Sequence, residues 1–223
     1  MANLMPLSWV VGIIILTKMP KITGIIIQTN NKNRCNLFVD GEFYASASLQ
    51  TIMEHRLKKD QDIEFIELKN VLKESEKHEA LTKAISYVSK SLKTKRQVKD
   101  YLLRKGFCEE TVWYCIDKLK EYAYIDDKEY SKRFIESTSA TQGKKLIEYK
   151  LMSKGVKKED FEFAFSETEI NSKENAKCVA EKYLRNKEKT KEVLIKAYRY
   201  LISRGFSYDD AEYALSEFRD KRD

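Results

Sequence analysis

Residues 102–107 read LLRKGF, and this stretch recurs as LMSKGV at 151–156 and as LISRGF at 201–206. The glycines at the same place in each copy follow one another at intervals of 49 and 50 residues, in a chain with only 7 glycines. A fixed period of this length is the mark of a repeat architecture. Repeat arrays bind long partners more often than they enclose a small molecule, so the period also narrows the function.

Each of these glycines, Gly106, Gly155 and Gly205, is predicted to end a helix. Glycine adopts a left-handed backbone at little cost and is common directly after a helix. A Schellman ending then brings the residue four before the glycine against the residue after it. Both positions are apolar in all three copies: Leu102 and Phe107, Leu151 and Val156, Leu201 and Phe206.

Two further helices accompany each helix that ends at a glycine. The segment after the glycine has apolar residues at steps of three and four, which form one helical face. The segments before each pair are predicted to be helical near 80–91, 127–138 and 172–187. Thr94-x-x-Gln97 and Asp126-x-x-Glu129 resemble capping boxes and support these starts. We therefore expect a mainly α fold, a tandem array of three three-helix modules. The alternative is a single irregular helical domain with coincidental glycines.

Strand patterns precede the array. Asp40-Gly41 lies between apolar runs and predicts a β-hairpin in a small N-terminal domain. The apolar stretch Leu4–Leu16 spans 13 residues, whereas a membrane helix needs about 20. It also lacks the features of a signal peptide. We expect Met19 to be the true start, with a membrane anchor as the alternative.

The predicted division of the chain has six parts. They are a non-native or mis-assigned extension (1–18), a small β domain (19–63), a connecting helix (64–79) and three three-helix repeats (80–125, 126–170 and 171–223).

Charge is segregated within each repeat of this chain, whose net charge is +7. Residues 90–106 carry seven cations and one acid, and residues 142–158 carry six cations and one acid. The last helix of a repeat reverses this, since residues 159–174 carry six acids and one cation. Aligned modules would present a positive stripe, the electrostatic mark of a polyanionic partner. The alternative is a solvated surface with ordinary ion pairs.

The candidate partner-binding residues are the cations of the middle helices. They are Lys95, Arg96, Lys99, Arg104, Lys105, Lys144, Lys145, Lys150, Lys154, Arg199 and Arg204. Three of these cations directly precede a glycine: Lys105, Lys154 and Arg204. Their charge suits the negative end of a helix dipole, so the alternative is that they only stabilise the helix end.

The sequence contains no recognisable catalytic motif. The four cysteines form no CxxC pair and only two histidines are present, so no zinc-ligand pattern occurs. The acid pairs Asp126-Asp127 and Asp209-Asp210 lie at helix starts, where acids stabilise the dipole. We expect no catalytic residue, cofactor or metal. Free cysteines in a highly charged chain indicate a reducing cytosol, hence a cytoplasmic location.

Several stretches resemble the RecX family. Residues 92–107 and 119–130, which include the sequence YIDD at 124–127, resemble its first repeat, and residues 143–156 resemble its second. Residues 19–43 look like the β extension of Gram-positive-type members. One departure is Leu92-Lys93-Thr94, where members often carry Arg-Pro before the cap.

This resemblance implies a function in DNA repair, recombination and the SOS response. RecX-like proteins regulate the RecA recombinase, so we expect a monomer that binds the RecA–single-stranded-DNA filament, contacts the DNA through the filament and does not bind membranes. Strand exchange, ATPase and LexA coprotease activities would be lowered. The alternatives are a helical-repeat protein that binds nucleic acid independently of RecA, and a helical scaffold for protein interactions.

Overall fold

The computed structural model describes residues 19–219, so the predictions for residues 1–18 lie outside the described part. The described residues form three strands and ten helices: β1 (Ile22–Gln28), β2 (Asn31–Val39), β3 (Glu42–Ser48), α1 (Leu49–Glu54), α2 (Phe65–Val88), α3 (Lys95–Arg104), α4 (Glu109–Glu121), α5 (Asp127–Thr138), α6 (Lys144–Ser153), α7 (Lys158–Ser166), α8 (Ser172–Leu184), α9 (Lys191–Ser203) and α10 (Tyr208–Arg219). The predicted fold class, mainly α with a small β part, is confirmed. The described residues divide between Glu79 and Ala80 into two compact units.

The first unit contains an antiparallel sheet in the order β1-β2-β3. Asp40 and Gly41 join β2 to β3 with φ of 48° and 91°. Positive φ at both positions is the geometry of a type I′ turn, whose twist matches that of the flanking strands. Alternate β2 residues Cys35, Leu37 and Val39 are buried in one cluster with Leu68 of α2. The predicted hairpin is therefore confirmed.

A single helix, α2, covers residues that the sequence divided between a connecting helix and the first helix of the first repeat. No glycine or proline interrupts residues 65–88, so nothing in the backbone ends the helix near residue 79. The helix expected at 127–138 has the predicted bounds, and the one expected at 172–187 ends at Leu184. The six-part division of the chain stays a prediction.

The second unit contains three modules, each with its own core. The first module comprises the end of α2, α3 and α4, and it buries Val98, Leu102 and Ile116 together. The second comprises α5, α6 and α7, and the third comprises α8, α9 and α10. Helices α3, α6 and α9 are the middle helices of the three modules.

The middle helices end as the sequence predicts. Gly106, Gly155 and Gly205 have φ of 87°, 79° and 86°. The amide of the next residue donates to the carbonyl at C3 in each copy, for example Phe107 N to Leu102 O at 3.3 Å. Each glycine amide donates to the carbonyl at C2, as in Gly106 N to Leu103 O at 2.9 Å. These two bonds define the Schellman motif, which is thus confirmed in all three modules.

Adjacent middle helices also meet end to end. At the C-terminal end of α9, the carbonyl of Arg204 accepts from Gly143 N at 2.9 Å and that of Gly205 accepts from Lys145 N at 3.2 Å. At the C-terminal end of α6, the carbonyl of Lys154 accepts from Thr94 Oγ1 at 2.8 Å. Orphan carbonyls of one helix are thereby paired with donors at the start of the next. The middle helices therefore follow one another head to tail.

Close packing at these contacts gives the glycines a second role. A Cβ on Gly205 would lie 2.4 Å from Leu146 N, and one on Gly155 would lie 2.1 Å from Arg96 Cδ. A Cβ on Gly106 would meet nothing within 4 Å. Gly155 and Gly205 thus allow neighbouring modules to approach each other, whereas Gly106 serves only its own helix end.

Candidate functional site

A groove between the first and second modules gathers three of the eleven predicted cations. Lys95, Arg96 and Lys99 lie on the first two turns of α3 and line a cavity of about 620 Å³. The other wall comes from the starts of α5 and α7 and from Gly155. We call this cavity the first groove. It exists because the head-to-tail contact of α6 with α3 brings the two modules together.

The aromatic residue of the first groove is Trp113 of α4, whose surface is 39% exposed. Lys95 Nζ lies 4.9 Å and Lys99 Nζ lies 4.8 Å from the centre of its ring. Ammonium groups at this distance are attracted to the ring electrons. The indole therefore holds two cations side by side, next to the cavity.

Three further cations of the first groove were missed by the sequence argument: Lys120, Lys128 and Lys157. They belong to the end of α4, the start of α5 and the start of α7, outside the basic middle helices. Lys120 and Lys128 lie outside the basic segments of the sequence, whereas Lys157 lies within the segment 142–158 but follows the helix-ending glycine. In the sequence Trp113 lies off the buried face of α4, but a single exposed apolar side chain is common on protein surfaces, so it did not mark the groove.

Four carboxylates also line the first groove: Asp126, Asp127, Glu159 and Asp160. Two of them already accept backbone hydrogen bonds at helix starts. Asp126 Oδ1 caps α5 by accepting from Lys128 N at 2.8 Å, and Asp127 Oδ1 accepts from Lys95 N at 2.9 Å. These hydrogen bonds do not remove the negative charge of the two acids, so the lining as a whole carries six cations and four acids, an excess of two positive charges. Outside the lining, Lys99 Nζ lies 3.6 Å from a Glu109 oxygen and Arg96 Nε lies 3.8 Å from an Asp100 oxygen.

Burial in the groove shifts the pKa values of two lining residues, Lys95 and Asp127. Burial of the Lys95 ammonium, followed by the nearby cations Lys120 and Lys157, lowers the pKa of Lys95. Burial raises the pKa of the Asp127 carboxyl, which the hydrogen bond from Lys95 N only partly opposes. In both residues the loss of contact with water is the main cause of the shift, because burial disfavours the charged form.

The equivalent groove between the second and third modules is less basic. Lys144 and Lys145 occupy the positions of Lys95 and Arg96, but Glu148 stands where the first groove has Lys99. Lys144 Nζ lies 5.1 Å from the Phe165 ring centre. Lys144 also lies 3.9 Å from a Glu148 oxygen. We call this cavity the second groove.

The remaining six predicted cations do not line either cavity. Lys150 Nζ donates to Gln142 Oε1 at 2.7 Å, and Arg104 Nε donates to the Asp100 carbonyl at 3.1 Å. Lys105, Lys154 and Arg204 lie over aromatic rings of their own modules, at 5.7, 5.9 and 5.7 Å from the ring centres. Arg199 is exposed on α9. Binding by any of the eleven residues stays a prediction.

Residues 19–219 also bear on metal binding and on membrane insertion. No group of three or more His, Cys, Asp and Glu side chains there is arranged to hold a metal ion. Each helix in this range is too short or too polar to span a bilayer.

Comparison with known proteins gives a consistent set of relatives. Family models match residues 20–64 (regulatory protein RecX N-terminal domain), 80–119 (RecX, first three-helix domain) and 172–215 (RecX, third three-helix domain). Regulatory protein RecX of Clostridium botulinum (strain Alaska E43 / Type E3) is 36% identical over 89% of this chain and 96% of its own length. That of Clostridium tetani is 32% identical over 90% of this chain and 95% of its own length. A crystal structure of regulatory protein RecX has the same fold, with a TM-score of 0.62 at 23% identity over 90% of this chain and 99% of that one.

Proposed function

We propose a function for this chain from the premise that it belongs to the RecX family of regulatory proteins. It is a non-enzymatic regulator that binds the RecA–single-stranded-DNA filament. Binding lowers strand exchange, ATP hydrolysis and coprotease activity. It acts as a monomer in the cytoplasm.

The observation that carries this proposal is the head-to-tail arrangement of the three basic middle helices. Cations on α3 and α6 recur at corresponding positions of consecutive modules, as in Lys95 and Lys144. A filament also presents the same surface at regular intervals. Several weak contacts that are made together give a much higher avidity than any one of them.

A titration of RecA ATP hydrolysis on single-stranded DNA tests the proposal. We expect substoichiometric protein to slow hydrolysis, and to do so more weakly as salt is raised, because the contacts are between charges. Absence of any effect at every ratio and salt concentration would refute the proposal.

A charge-reversal variant tests the surface itself. The substitutions Lys95→Glu, Arg96→Glu, Lys144→Glu and Lys145→Glu should weaken inhibition while helicity is kept, since these side chains are not part of a module core. Lys132→Glu with Lys182→Glu, two exposed cations on other helices, is the control for nonspecific charge effects. Full inhibition by the fourfold variant would exclude this surface as the contact.

A second function has a specific observation in its favour, namely Trp113 among the cations of the first groove. A chain that binds nucleic acid independently of RecA would use such a site. Binding to naked single-stranded DNA and to preformed RecA filaments should be measured at matched salt. Tight filament binding with weak naked-DNA binding supports the regulator, and the reverse supports this second function.

A further inference from the structure

The first groove has the charge and size of a site for an anionic ligand. Six cationic and four acidic side chains line it, an excess of two positive charges, and Lys99 also pairs at 3.6 Å with the exposed Glu109 outside the lining. Its volume of about 620 Å³ lies within the range of small-molecule sites, roughly 300–1,000 Å³. The cavity is therefore large enough for one nucleotide unit of a longer chain.

The aromatic ring distinguishes this groove from an ordinary basic patch. Trp113 is partly exposed and lies against Lys95 and Lys99, so ring and ammonium groups face the same space. Proteins that bind single-stranded nucleic acid combine these two features, because every base can stack on an aromatic ring and every linkage carries a phosphate. An acidic peptide would use the cations but gain little from the indole.

The second groove supplies an internal comparison. It is built from equivalent positions, yet only Lys144 and Lys145 are cationic there, against Glu148 and Asp210. No tryptophan lines it. The first groove alone of the two thus has both an excess of cations and an exposed indole, so these features are not a by-product of how the modules stack.

We propose that the first groove binds a single-stranded DNA segment directly, with a phosphate near Lys99 and Lys120 and a base against Trp113. This binding deepens the proposed function. It rests on that function in one respect, because in the cell the DNA would be the single strand held in the RecA filament. It gives the first module a contact with the nucleic acid itself, whereas the rest of the basic surface faces protein.

Fluorescence of Trp113 gives a direct test. The chain has only two tryptophans, Trp9 and Trp113, so the full chain with Trp9→Phe reports on the groove alone. We expect a short oligo(dT) to quench this emission at low salt. Each phosphate contact contributes about 0.7 to the slope of log affinity against log salt. Lys99→Gln with Lys120→Gln should therefore reduce the slope by roughly 1.4, whereas the control Lys132→Gln with Lys182→Gln should leave it unchanged.

Stacking is tested with a labelled oligonucleotide and Trp113→Ala. Loss of one stacked base is worth about 1–3 kcal/mol, so affinity should fall roughly 5- to 150-fold. Unchanged affinity would overturn the stacking contact. Equal quenching by poly-glutamate, matched in charge, would overturn the nucleic-acid assignment in favour of an acidic peptide. Absence of quenching by either polymer would overturn the site altogether.

The RecA assay separates this proposal from the proposed function. If oligo(dT) fails to quench Trp113 while the chain still inhibits RecA ATP hydrolysis, the groove proposal is wrong and the regulatory function stands. If oligo(dT) quenches Trp113 while hydrolysis is unaffected at every ratio, the regulatory function is wrong and the groove remains a DNA site.

Discussion

Replacement of the three repeat glycines by alanine should produce three different losses of stability. All three residues have left-handed φ, a conformation that costs an L-residue about 1–2 kcal/mol. Gly106→Ala meets nothing else within 4 Å, so we expect a loss of about 1–2 kcal/mol. This variant is the matched control for the other two, because it changes the same backbone geometry without touching a neighbouring module.

The second and third glycines add the cost of a module contact. In Gly155→Ala the new methyl group meets the Arg96 side chain at 2.1 Å from Cδ, which can move away in part. Overpacking of this kind costs typically about 1–3 kcal/mol, so a total of roughly 2–5 kcal/mol follows.

Gly205→Ala should be the most destabilising of the series. Its methyl group meets backbone, at 2.4 Å from Leu146 N, so the modules themselves must separate. The two hydrogen bonds from Gly143 N and Lys145 N then weaken, each worth about 1 kcal/mol. We expect a total loss of about 4 kcal/mol or more.

Urea unfolding followed by circular dichroism measures the order of the three losses. Because a repeat array can unfold module by module, hydrogen exchange should accompany it, and the amides of Gly143 and Lys145 should exchange faster in Gly205→Ala. Equal losses in all three variants, or a larger loss at Gly106, would refute the head-to-tail contact as the reason for the second and third glycines.

Three further predictions concern single side chains. Thr94→Ala should cost about 1–2 kcal/mol, because it removes both the cap of α3 and the hydrogen bond to Lys154 O, whereas Thr94→Ser keeps the hydroxyl and should restore most of the midpoint in thermal unfolding. Asp127→Ala should destabilise by leaving Lys95 N without its acceptor, but Asp127→Asn keeps an acceptor oxygen and removes a buried charge. Since burial raises the folded-state pKa of Asp127, the folded chain holds its proton to higher pH and the wild type loses stability as pH rises through that window. The stability of Asp127→Asn relative to the wild type should therefore increase from acid to neutral pH in urea titrations, and a constant difference would contradict this reasoning. Thiol labelling of the folded chain, followed by mass spectrometry, should modify the exposed Cys108 and Cys178 but not the buried Cys35 and Cys115. Burial also raises the pKa of the Cys35 thiol, which further lowers its reactivity.

The sequence predicted the module and its helix ends because their causes are local. The Schellman bonds join residues at most five apart, so a glycine between apolar residues is sufficient to predict them. The cap of α3 is likewise written in Thr94 and Gln97. Where local signals were weak the prediction was less accurate, as for α2, in which nothing in the sequence marks whether the helix continues past residue 79.

The candidate site depended on longer-range contacts. Lys95, Trp113, Lys120 and Lys157 are spread over 63 positions of the chain and belong to three elements: α3, α4 and the start of α7. Charge counting along the chain selected the basic helices, but it could not show that a tryptophan of α4 and a lysine before α7 would face the same cavity. It also treated Lys95 and Lys144 as equivalent, although their surroundings differ in charge.

The amino-acid sequence by itself determined the family, the period, the three helices of each module and the segregation of charge. Only the tertiary structure decided that Gly155 and Gly205 allow one middle helix to end against the start of the next. That contact positions the first groove, because orphan carbonyls at one helix end and unpaired donors at another are satisfied only when the modules meet. The contact between modules also decides which cations line the same cavity, because it brings together residues that lie about one repeat apart in the chain.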